Sequence, residues 1–559
     1  MVSEPEQGVL SELLGSIRAH SRSTILPLFL FCLTWKFYPH PSIGTFASVL
    51  PPVVTVYFAL LTKNVYLSLF AGVFSGSFLL MEGAFIQGVR DAFRKMLAVL
   101  IGDPLNLSFE ALPLDNLKII AFAYLLGGMI MICTANGGME GLMNVFSRFA
   151  KSRKRAQFST WLMGLIVFFD DYTNCLLVGN TMRPITDRFK ISREKLSYIV
   201  DSTAAPIATI APVSTWVGYE LGLLGSALEK YPALGEWNAF SLFLNSIPFS
   251  YYAFFSLFFI GLLIFWGIEF GPMFHAETAS TSKESDPSAF HAQTSSHWLH
   301  AVGPVLMVIL ATLLMLYLTG RQTMIAQDLD VTRSGLASIL ISGNSSTSLF
   351  TGALLGCVLA ILISVQSGCL SARDCFACLR EGGKKMLAPT LVLCLSWSLG
   401  SVCHELKTGD FVSLMVQQHL PDFWLPILVF LTSALISFAT GTSWGCMAIM
   451  VPVVLGITAI HSPQNLHLLL GCVSAILGGA SFGDHCSPIS DTTVLSSMAA
   501  QVDHLSHVRT QIPYACFVGV CVVFAYSLNS LFNSGPWPGL IGGLILLVGA
   551  TRLIGRRVG

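Results

Sequence analysis

Charge is the property that this sequence lacks most. Of its 559 residues, 31 are basic and 31 are acidic, so charged residues make up 11%, against about 25% in an average soluble protein. Hydrophobic residues make up 53%, and the mean hydropathy is +0.69. A soluble chain of this length would need charged surfaces for several domains. The composition therefore excludes a soluble globular enzyme, a disordered chain and a nucleic-acid-binding protein, and it leaves a polytopic membrane protein.

The sequence also lacks a net charge, a zinc-site pattern of cysteines and a signal peptide, and these absences limit the cofactors and partners that we expect. The net charge is zero, so nothing indicates an acidic or basic macromolecule. Cys375 and Cys378 form a C-x-x-C pair, but no second pair stands at zinc-site spacing. The first 23 residues are polar and lack a signal-peptide pattern. We therefore expect no cofactor and no nucleic acid; the lipid bilayer is the expected partner, and a homodimer is left open.

Hydrophobic runs predict an all-α polytopic membrane protein with about 11–13 transmembrane helices. We expect a polar cytoplasmic N-terminus over 1–23, a first transmembrane half over 24–267, a polar linker over 268–297 and a second half over 298–559. The individual apolar runs lie near 24–38, 44–61, 64–82, 117–135, 156–182, 195–213, 239–267, 298–319, 347–366, 385–402, 422–439, 441–460, 464–483, 510–530 and 535–555.

The two halves resemble each other. Ser68-Leu-Phe with Gly72 and Gly76 recurs as Ser348-Leu-Phe with Gly352 and Gly356, and Pro212-Val-Ser recurs as Pro488-Ile-Ser. Further matches pair Arg90 with Arg380, Lys95 with Lys385, Gly138 with Gly409 and Asn174-Cys with Gly445-Cys. Because duplication is common among transporters, we expect two repeats, inverted with respect to each other, with the substrate site between them. The sequence alone does not establish the inversion.

Each half also carries a segment that we expect to be a re-entrant hairpin, and we expect each half to contain an interrupted helix as well. Basic residues cluster between 151 and 155 and again between 183 and 195, on both flanks of the apolar segment 156–182. Since basic loops stay in the cytoplasm, this segment would enter and leave by one side, with its tip near Asp170–Asn174. One long helix between two basic clusters is the alternative. In the second half, the Gly/Thr/Ser run from Ala439 to Gly445 suits the matching tip.

Polar residues inside apolar runs need a reason, because a charge in hydrocarbon costs about 2.5 kcal/mol or more. Two adjacent acids, Asp170 and Asp171, cannot both ionise cheaply in a dry site, and one of them would exchange a proton for a cation. In the next segment, Pro206 and Pro212 free backbone carbonyls that are suited to alkali cations. The alternatives are acids at a helix end in water and a proline kink of purely structural meaning.

The second half supplies two more polar places. Hydroxyls of Thr440, Thr442 and Ser443 lie in the glycine-rich break, although such hydroxyls often bond only their own backbone. The segment Gly483–Thr493 is the stronger signal, since Asp484 and Asp491 would serve as ion ligands or proton carriers there. His485 would either titrate near neutral pH or orient Asp484. An extramembrane loop is the alternative for this segment.

The long motifs identify a family. GDHCSPISDTTVLSS resembles the signature of the NhaC family of Na⁺/H⁺ antiporters, and FFDDYTNCLLVGNTMRPITDRF, IVDSTAAPIATIAPVSTWVGYELG and ATGTSWGCMAIMVPV are similar to its core segments. The resemblance covers residues from about 46 to about 532. It implies a multi-pass protein of the bacterial cytoplasmic membrane with inverted repeats and paired hairpins. It does not fix the substrate, because some relatives exchange organic acids or move amino acids with Na⁺.

The expected activity is therefore Na⁺/H⁺ exchange by alternating access, with Na⁺ and H⁺ as cargo and no enzymatic activity. Dehydrated Na⁺ needs about five or six oxygen ligands, and we expect Asp171, Asp484 and Asp491 to contact the metal ion. The full set of candidate ion- or substrate-binding residues is Asp170, Asp171, Asn174, Asp201, Ser202, Thr203, Ser214, Thr215, Thr440, Thr442, Ser443, Asp484, His485, Ser487, Ser490, Asp491 and Thr492.

Three other functions are alternatives to Na⁺/H⁺ exchange. A Na⁺-coupled carrier of an amino acid or small carboxylate is the nearest, and it would need a pocket for an organic group beside the ion ligands. An intramembrane protease is disfavoured, because Thr408 stands where a second His of H-E-x-x-H is required, and Ser481 breaks the G-x-G-D context of Asp484. A passive channel would not need carboxylates that bind and release protons.

Overall fold

The structure is a computed structural model that describes residues 43–62, 64–102, 112–147, 149–231, 234, 237–281, 297–326, 335–408, 410–411, 421–461, 465–532 and 535–558. The expected span near 24–38 and the polar N-terminus lie outside the described residues, as do Gly409 and residues 282–296 of the linker.

Helices dominate the described chain, and we number them in order. They are α1 (Leu50–Thr62), α2 (Val65–Leu80), α3 (Phe85–Ile101), α4 (Leu114–Ala135), α5 (Gly138–Ser147), α6 (Arg153–Ile166), α7 (Asp171–Arg188), α8 (Arg193–Ile210), α9 (Thr215–Lys230), α10 (Ala239–Ser246), α11 (Tyr251–Trp266), α12 (Gly271–Thr281), α13 (Leu299–Ala326), α14 (Leu336–Ile341), α15 (Ser345–Gln366), α16 (Ala372–Lys385), α17 (Leu387–Glu405), α18 (Leu425–Thr440), α19 (Ser443–His461), α20 (Leu466–Cys486), α21 (Asp491–Ala500), α22 (His504–Phe532) and α23 (Trp537–Ile554). Three 3₁₀ turns, Phe46–Val49, Ile247–Phe249 and Asp422–Trp424, complete the helical elements.

The all-α membrane architecture is confirmed. Within the described ranges, nine helices are long and apolar enough to cross a membrane, and eleven spans result if each bent pair counts as one. The bent pairs are α8 with α9, at 44°, and Ala239–Phe249 with α11, at 47°. The first of these is the interrupted helix expected around Pro212.

The packing of the helices repeats between the halves. Gly72 of α2 lets Thr55 of α1 approach so closely that a Cβ at Gly72 would lie 1.9 Å from the Thr55 hydroxyl. Gly352 of α15 does the same for Thr312 of α13, at 2.2 Å. Only glycine permits such an approach. The shared motif therefore encodes the same helix contact twice.

Helix caps repeat in the same way. Asn64 caps α2 by accepting from the Leu67 amide, and Asn344 caps α15 by accepting from the Thr347 amide. At the helix breaks, Ser214 caps α9 and Ser490 caps α21. Each serine is the last residue of the Pro-x-Ser motif that the two halves share. The proline ends the preceding regular structure, and the serine then accepts from a free amide of the next helix.

Two hairpins turn back on themselves. In the first, formed by α6 and α7, the guanidinium of Arg153 donates to the carbonyl of Lys190 across 2.7 Å, so the two open ends meet. In the second, formed by α18 and α19, the amide of Asn465, just beyond α19, lies 3.4 Å from the Asp422 carboxylate, just before α18. Gly441, with a φ of +68°, makes the tight turn at the second tip.

The hairpins open toward opposite ends of α22. This helix has 29 residues and is about 44 Å long, enough to cross a bilayer. Near its start, Ser506 donates to Glu194, close to the open end of the first hairpin. Just past its end, Gly535 lies against His467, close to the open end of the second. The two hairpins therefore have opposite orientations, which is the arrangement that inverted repeats require.

The polar linker begins with ordered structure. Ile268–Glu269 forms β1, which pairs antiparallel with β2, Arg556–Arg557, at the C-terminal end. The carboxylate of Glu269 lies 2.8 Å from the ammonium of Lys195, and both side chains are buried. The Tyr514 hydroxyl also donates to Glu269. This buried charge pair ties the linker and the C-terminus to the base of α8.

Candidate ion-binding site

Four interrupted elements meet in the middle of the protein. Each hairpin tip packs against the broken helix of its own repeat: the Thr215 amide of the first break donates to the Phe169 carbonyl at the first tip, across 2.9 Å. At the other tip, the Ser487 hydroxyl donates to the Phe438 carbonyl across 2.7 Å. Helix N-termini with partial positive charge and helix C-termini with free carbonyls therefore converge, as in the ion sites of transporters with interrupted helices.

The first cluster surrounds the paired acids. Asp170 caps α7: its carboxylate accepts from the amide of Thr173, at 2.9 Å, and from that residue's hydroxyl, at 2.5 Å. Its other oxygen lies 3.2 Å from the Thr215 hydroxyl. Asp171 accepts from the indole N–H of Trp216 across 2.9 Å. Both acids are buried, so the first cluster offers two carboxylates and two hydroxyls at one tip.

The second cluster is built on the break of the second repeat. The Thr492 hydroxyl donates to Asp484 across 3.0 Å and lies 3.3 Å from the Ser490 hydroxyl. Next to Asp484, the Nδ1 atom of His485 lies 2.9 Å from the Tyr252 hydroxyl, whereas its Nε2 atom has no hydrogen-bond partner among the described residues. This cluster presents an acid, two hydroxyls and an imidazole.

Asp201 of α8 lies where the repeats meet. Its side chain is fully buried and accepts from the Thr493 hydroxyl, at 3.1 Å, and from the Gln511 amide, at 2.5 Å. The Nε2 atom of His507 lies 3.4 Å from the same oxygen. The other oxygen, Oδ1, has no partner in the described part of the chain. A first-repeat acid is thus held entirely by second-repeat side chains.

Side chains from both repeats link the clusters. The Tyr172 hydroxyl donates to Asp491 across 3.1 Å. The Tyr219 hydroxyl donates to the Trp444 carbonyl across 2.9 Å, and the rings of Trp216 and Trp444 are 5.7 Å apart. Asp491 itself is exposed, so it lies at the edge of the network.

The three acids expected to contact the metal ion do not converge on one point. Asp171 lies in the first cluster, Asp484 lies in the second, and Asp491 contacts the first through Tyr172. No group of three His, Cys, Asp or Glu side chains with metal-site geometry occurs in the ranges that the structure describes. The oxygens available to a cation are therefore a mixture of carboxylate, hydroxyl and backbone oxygens, which suits an alkali cation.

Several of the candidate hydroxyls bond to backbone. Thr203 donates to Ile199 and Val200, Thr440 to Ile436, Ser443 to Ala480, and Ser214 to Ala208. Thr442 accepts from the Gly445 amide at 3.5 Å, and Ser202 is buried. Asn174 donates to the carbonyls of Gly164 and Val167, and its Oδ1 atom has no partner among the described residues. Asn174 therefore holds the first tip in shape through its amide group.

Sequence reasoning missed Tyr252, His507 and Gln511. All three are buried and lie on α11 or α22, far along the chain from the acids that they or their neighbours contact. Polarity inside an apolar helix was the available signal for His507 and Gln511. No such signal marked Tyr252, because tyrosine is common in membrane helices.

The network is short of positive charge. None of the five acids Asp170, Asp171, Asp201, Asp484 and Asp491 has a Lys or Arg within ion-pair distance among the described residues, and only Asp201 has a histidine there. Four of these acids, all except Asp491, are buried, and buried carboxylates without cations cannot all be ionised, since each unpaired charge is expensive in a dry interior. The site therefore has room for protons or bound cations as counter-charge.

The amino-acid sequence is similar to sequences of known proteins. Residues 207–530 match the Na⁺/H⁺ antiporter family, and a protein of Haemophilus influenzae described as uncharacterized is 30% identical over 489 residues, which cover 87% of this chain and 91% of that one. The chain belongs to the Na⁺/H⁺ antiporter family. This family member is a multi-pass, Na⁺-coupled membrane transporter.

Two relatives with more informative names match shorter stretches of this antiporter-family chain. An uncharacterized Na⁺/H⁺ antiporter of H. influenzae is 29% identical over 197 residues, 34% of this chain and 41% of that one. The malate-2H⁺/Na⁺-lactate antiporter of Bacillus subtilis is 34% identical over 159 residues, 28% of this chain and 32% of that one.

Proposed function

We propose that this protein exchanges Na⁺ for H⁺ across a bacterial cytoplasmic membrane by alternating access. The observation that carries the proposal is the set of carboxylates from both repeats that lie at the helix breaks without lysine or arginine partners among the described residues. A carboxylate there holds either a proton or Na⁺. Competition for the same oxygens links the two fluxes without further machinery.

The inverted repeats support the alternating-access part. The hairpins open toward opposite ends of α22, and each repeat contributes one unit to the site, a hairpin with the broken helix that it contacts. The two units also pack against each other, since Gly179 of α7 lies against Ala499 of α21. Asp201 with Thr493, and Tyr172 with Asp491, join these units. A relative movement of the units would break these contacts and change the side from which the acids are reached.

The test is Na⁺-driven proton movement in proteoliposomes that contain a pH-sensitive dye. D171N and D484N are expected to reduce the signal to background while the protein stays folded and monodisperse. The control is D187N, because Asp187 pairs with Arg193 at the end of α7, away from the breaks. Normal proton movement in both D171N and D484N would contradict the proposed site.

A second candidate function has its own observation. A cavity of about 300 Å³ reaches Asp170 and is bounded by Tyr172, Thr173, Asn180 and Lys385 as well as by apolar side chains of α4 and α7. An ammonium, an amide and hydroxyls beside an ion ligand would suit a small organic carboxylate. Na⁺-dependent uptake of labelled lactate or malate, lost in K385M and retained in K384M, would favour this function over Na⁺/H⁺ exchange.

A further inference from the structure

Glu220 is a buried acid that lies outside both clusters. It stands on α9, six residues beyond the capping Ser214, and only 1% of its surface is exposed. Neither carboxylate oxygen has a hydrogen-bond partner in the described part of the chain. Each of the five acids of the two clusters and the repeat interface accepts at least one hydrogen bond, so the isolation of Glu220 needs a reason.

The surroundings of Glu220 are apolar. Trp216, Val217, Leu223 and Leu224 lie three or four residues from Glu220 and share its face of α9, and all four are buried. None of the described titratable groups on α9 or on the helices packed against it pairs with Glu220. These groups are Tyr219, Glu229 and Lys230 on α9; Asp115, Lys118, Tyr124 and Cys133 on α4; Arg193, Glu194, Lys195, Tyr198 and Asp201 on α8; Cys357 on α15; Cys394, Cys403, His404 and Glu405 on α17; and Cys446 on α19.

An ionised carboxylate enclosed in this way would be far less stable than the neutral acid. Glu220 therefore holds a proton in this conformation. A buried acid retained in a membrane helix without any structural bond has no evident packing purpose, since an apolar side chain of the same size would fill the space without that penalty.

The position of Glu220 connects it to the ion site on one side. Trp216 lies four residues earlier, on the same face of α9, and its indole N–H donates to Asp171. One helical turn thus separates Glu220 from the residue that contacts the first cluster. Movement of α9 during transport would shift both residues together.

On the other side, the same face of α9 leads outward. Leu223, Ala227 and Lys230 follow Glu220 at helical spacing and line a small cavity of about 10 Å³ together with Ser396 and Trp397. That volume holds about one water molecule. Lys230, half-buried at the end of α9, donates to the Trp397 carbonyl across 3.2 Å. The cavity begins about one turn from Glu220 and ends about 15 Å from it.

We propose that Glu220 is a second proton-binding group of the transport cycle, distinct from the carboxylates that bind Na⁺. Glu220 keeps its proton in the present conformation. In another conformation it transfers the proton to a water molecule in the cavity near Lys230, so that Glu220 becomes a carboxylate and the protonated water carries the proton outward. This inference rests on the proposed Na⁺/H⁺ exchange, and it adds a proton site that does not compete directly for the Na⁺ oxygens.

Two flux measurements on one preparation test it. Exchange of ²²Na⁺ for Na⁺ needs the Na⁺ site but no proton transfer, whereas Na⁺-driven proton movement needs both. E220Q is expected to keep Na⁺/Na⁺ exchange within about twofold of the unmodified protein and to slow proton movement about 100-fold. E229Q, the same change on the exposed residue nine positions further along α9, is expected to leave both fluxes unchanged.

The outcomes separate this inference from the proposed function. Normal proton movement in E220Q, or an equal loss of both fluxes, would refute the proton role of Glu220 alone. Absence of Na⁺-driven proton movement in the unmodified protein would refute the proposed function and the inference with it. E220M is the control for misfolding. Because Glu220 makes no hydrogen bonds among the described residues, E220M and E220Q are expected to unfold at or above the unfolding temperature of the unmodified protein. Unfolding of both variants at a lower temperature would show that Glu220 has a structural role instead.

Discussion

The Thr493 hydroxyl donates to the carboxylate of Asp201 across 3.1 Å, although the two residues are 292 positions apart in the chain. Gln511 and His507 contact the same oxygen. An acid of the first repeat is thereby fixed by three side chains of the second. Movement of one repeat against the other would alter this contact.

The first prediction concerns that contact. D201N is expected to abolish Na⁺-driven proton movement, because the amide cannot take up a proton or balance a cation. The free energy of unfolding is expected to fall by about 1–3 kcal/mol, since hydrogen bonds to a charged acceptor become bonds to a neutral one. Vesicle flux and thermal unfolding measure the two effects. Flux in D201N equal to that of the unmodified protein would exclude Asp201 from the transport cycle.

The second prediction concerns the donor at the paired acids. W216F keeps a ring against Trp444 but removes the N–H that donates to Asp171. Loss of a hydrogen bond to a charged group is worth about 1.5–3 kcal/mol, so the apparent Na⁺ affinity is expected to change by roughly 10–100-fold. The apparent Na⁺ affinity is expected to fall, because the indole N–H stabilises the ionised form of Asp171, and its loss favours binding of a proton over binding of Na⁺.

The measurement for W216F is the Na⁺ concentration at half-maximal exchange, determined at several pH values. The matched control is W161F, because the indole N–H of Trp161 donates to the Leu257 carbonyl and not to an acid. An unchanged Na⁺ dependence in W216F would mean that Asp171 does not bind the ion.

The third prediction concerns the buried pair of Lys195 and Glu269. K195M leaves Glu269 buried with the Tyr514 hydroxyl but without its cation, and the free energy of unfolding is expected to fall by about 3–5 kcal/mol. K195M with E269Q is expected to recover most of that loss, because the unpaired charge is gone. Thermal unfolding of both single variants and the double variant forms a complete cycle. Additive losses would show that the two charges do not interact.

The fourth prediction concerns the direction of the hairpins. Cysteines introduced at Lys151, beside the open end of the first hairpin, and at His467, beside that of the second, are expected to react with a membrane-impermeant maleimide from opposite sides. The background replaces the exposed Cys369 and Cys516 by serine. Since basic segments stay in the cytoplasm, position 151 is expected to label from that side. Labelling of both from one side would contradict the inverted arrangement.

Much of the fold was predictable from local signals. Pro212 and Pro488 each precede a capping serine, and proline interrupts a helix wherever it stands in the chain. The glycines at 72 and 352 permit the same close helix contact in both repeats. The first hairpin followed from basic residues on both flanks of one apolar segment, and the second from the Gly/Thr/Ser run between Ala439 and Gly445. These features depend on a few neighbouring residues, so the sequence displays them directly.

The site was predictable as a set of acids but not as a set of contacts. The expected grouping of Asp171, Asp484 and Asp491 around one ion is not seen, because Asp171 belongs to the first tip and Asp484 to the second break. Several hydroxyls bond to nearby carbonyls, a choice that depends on helix geometry at each position. Glu220 escaped notice, because one acid in a helix of ordinary composition carries no pattern.

Composition and short segments are enough to identify a membrane protein with two related halves and a few acids beside helix breaks, because scarcity of charge and the placement of proline and glycine are local properties. Which acid meets which partner depends instead on how distant helices pack. Trp216 with Asp171, and His507 and Gln511 with Asp201, are contacts between separate helices, and the packing of those helices depends on the whole inverted arrangement. The same packing isolates Glu220, since a side chain is left without partners by its neighbours in space and not by its neighbours in the chain.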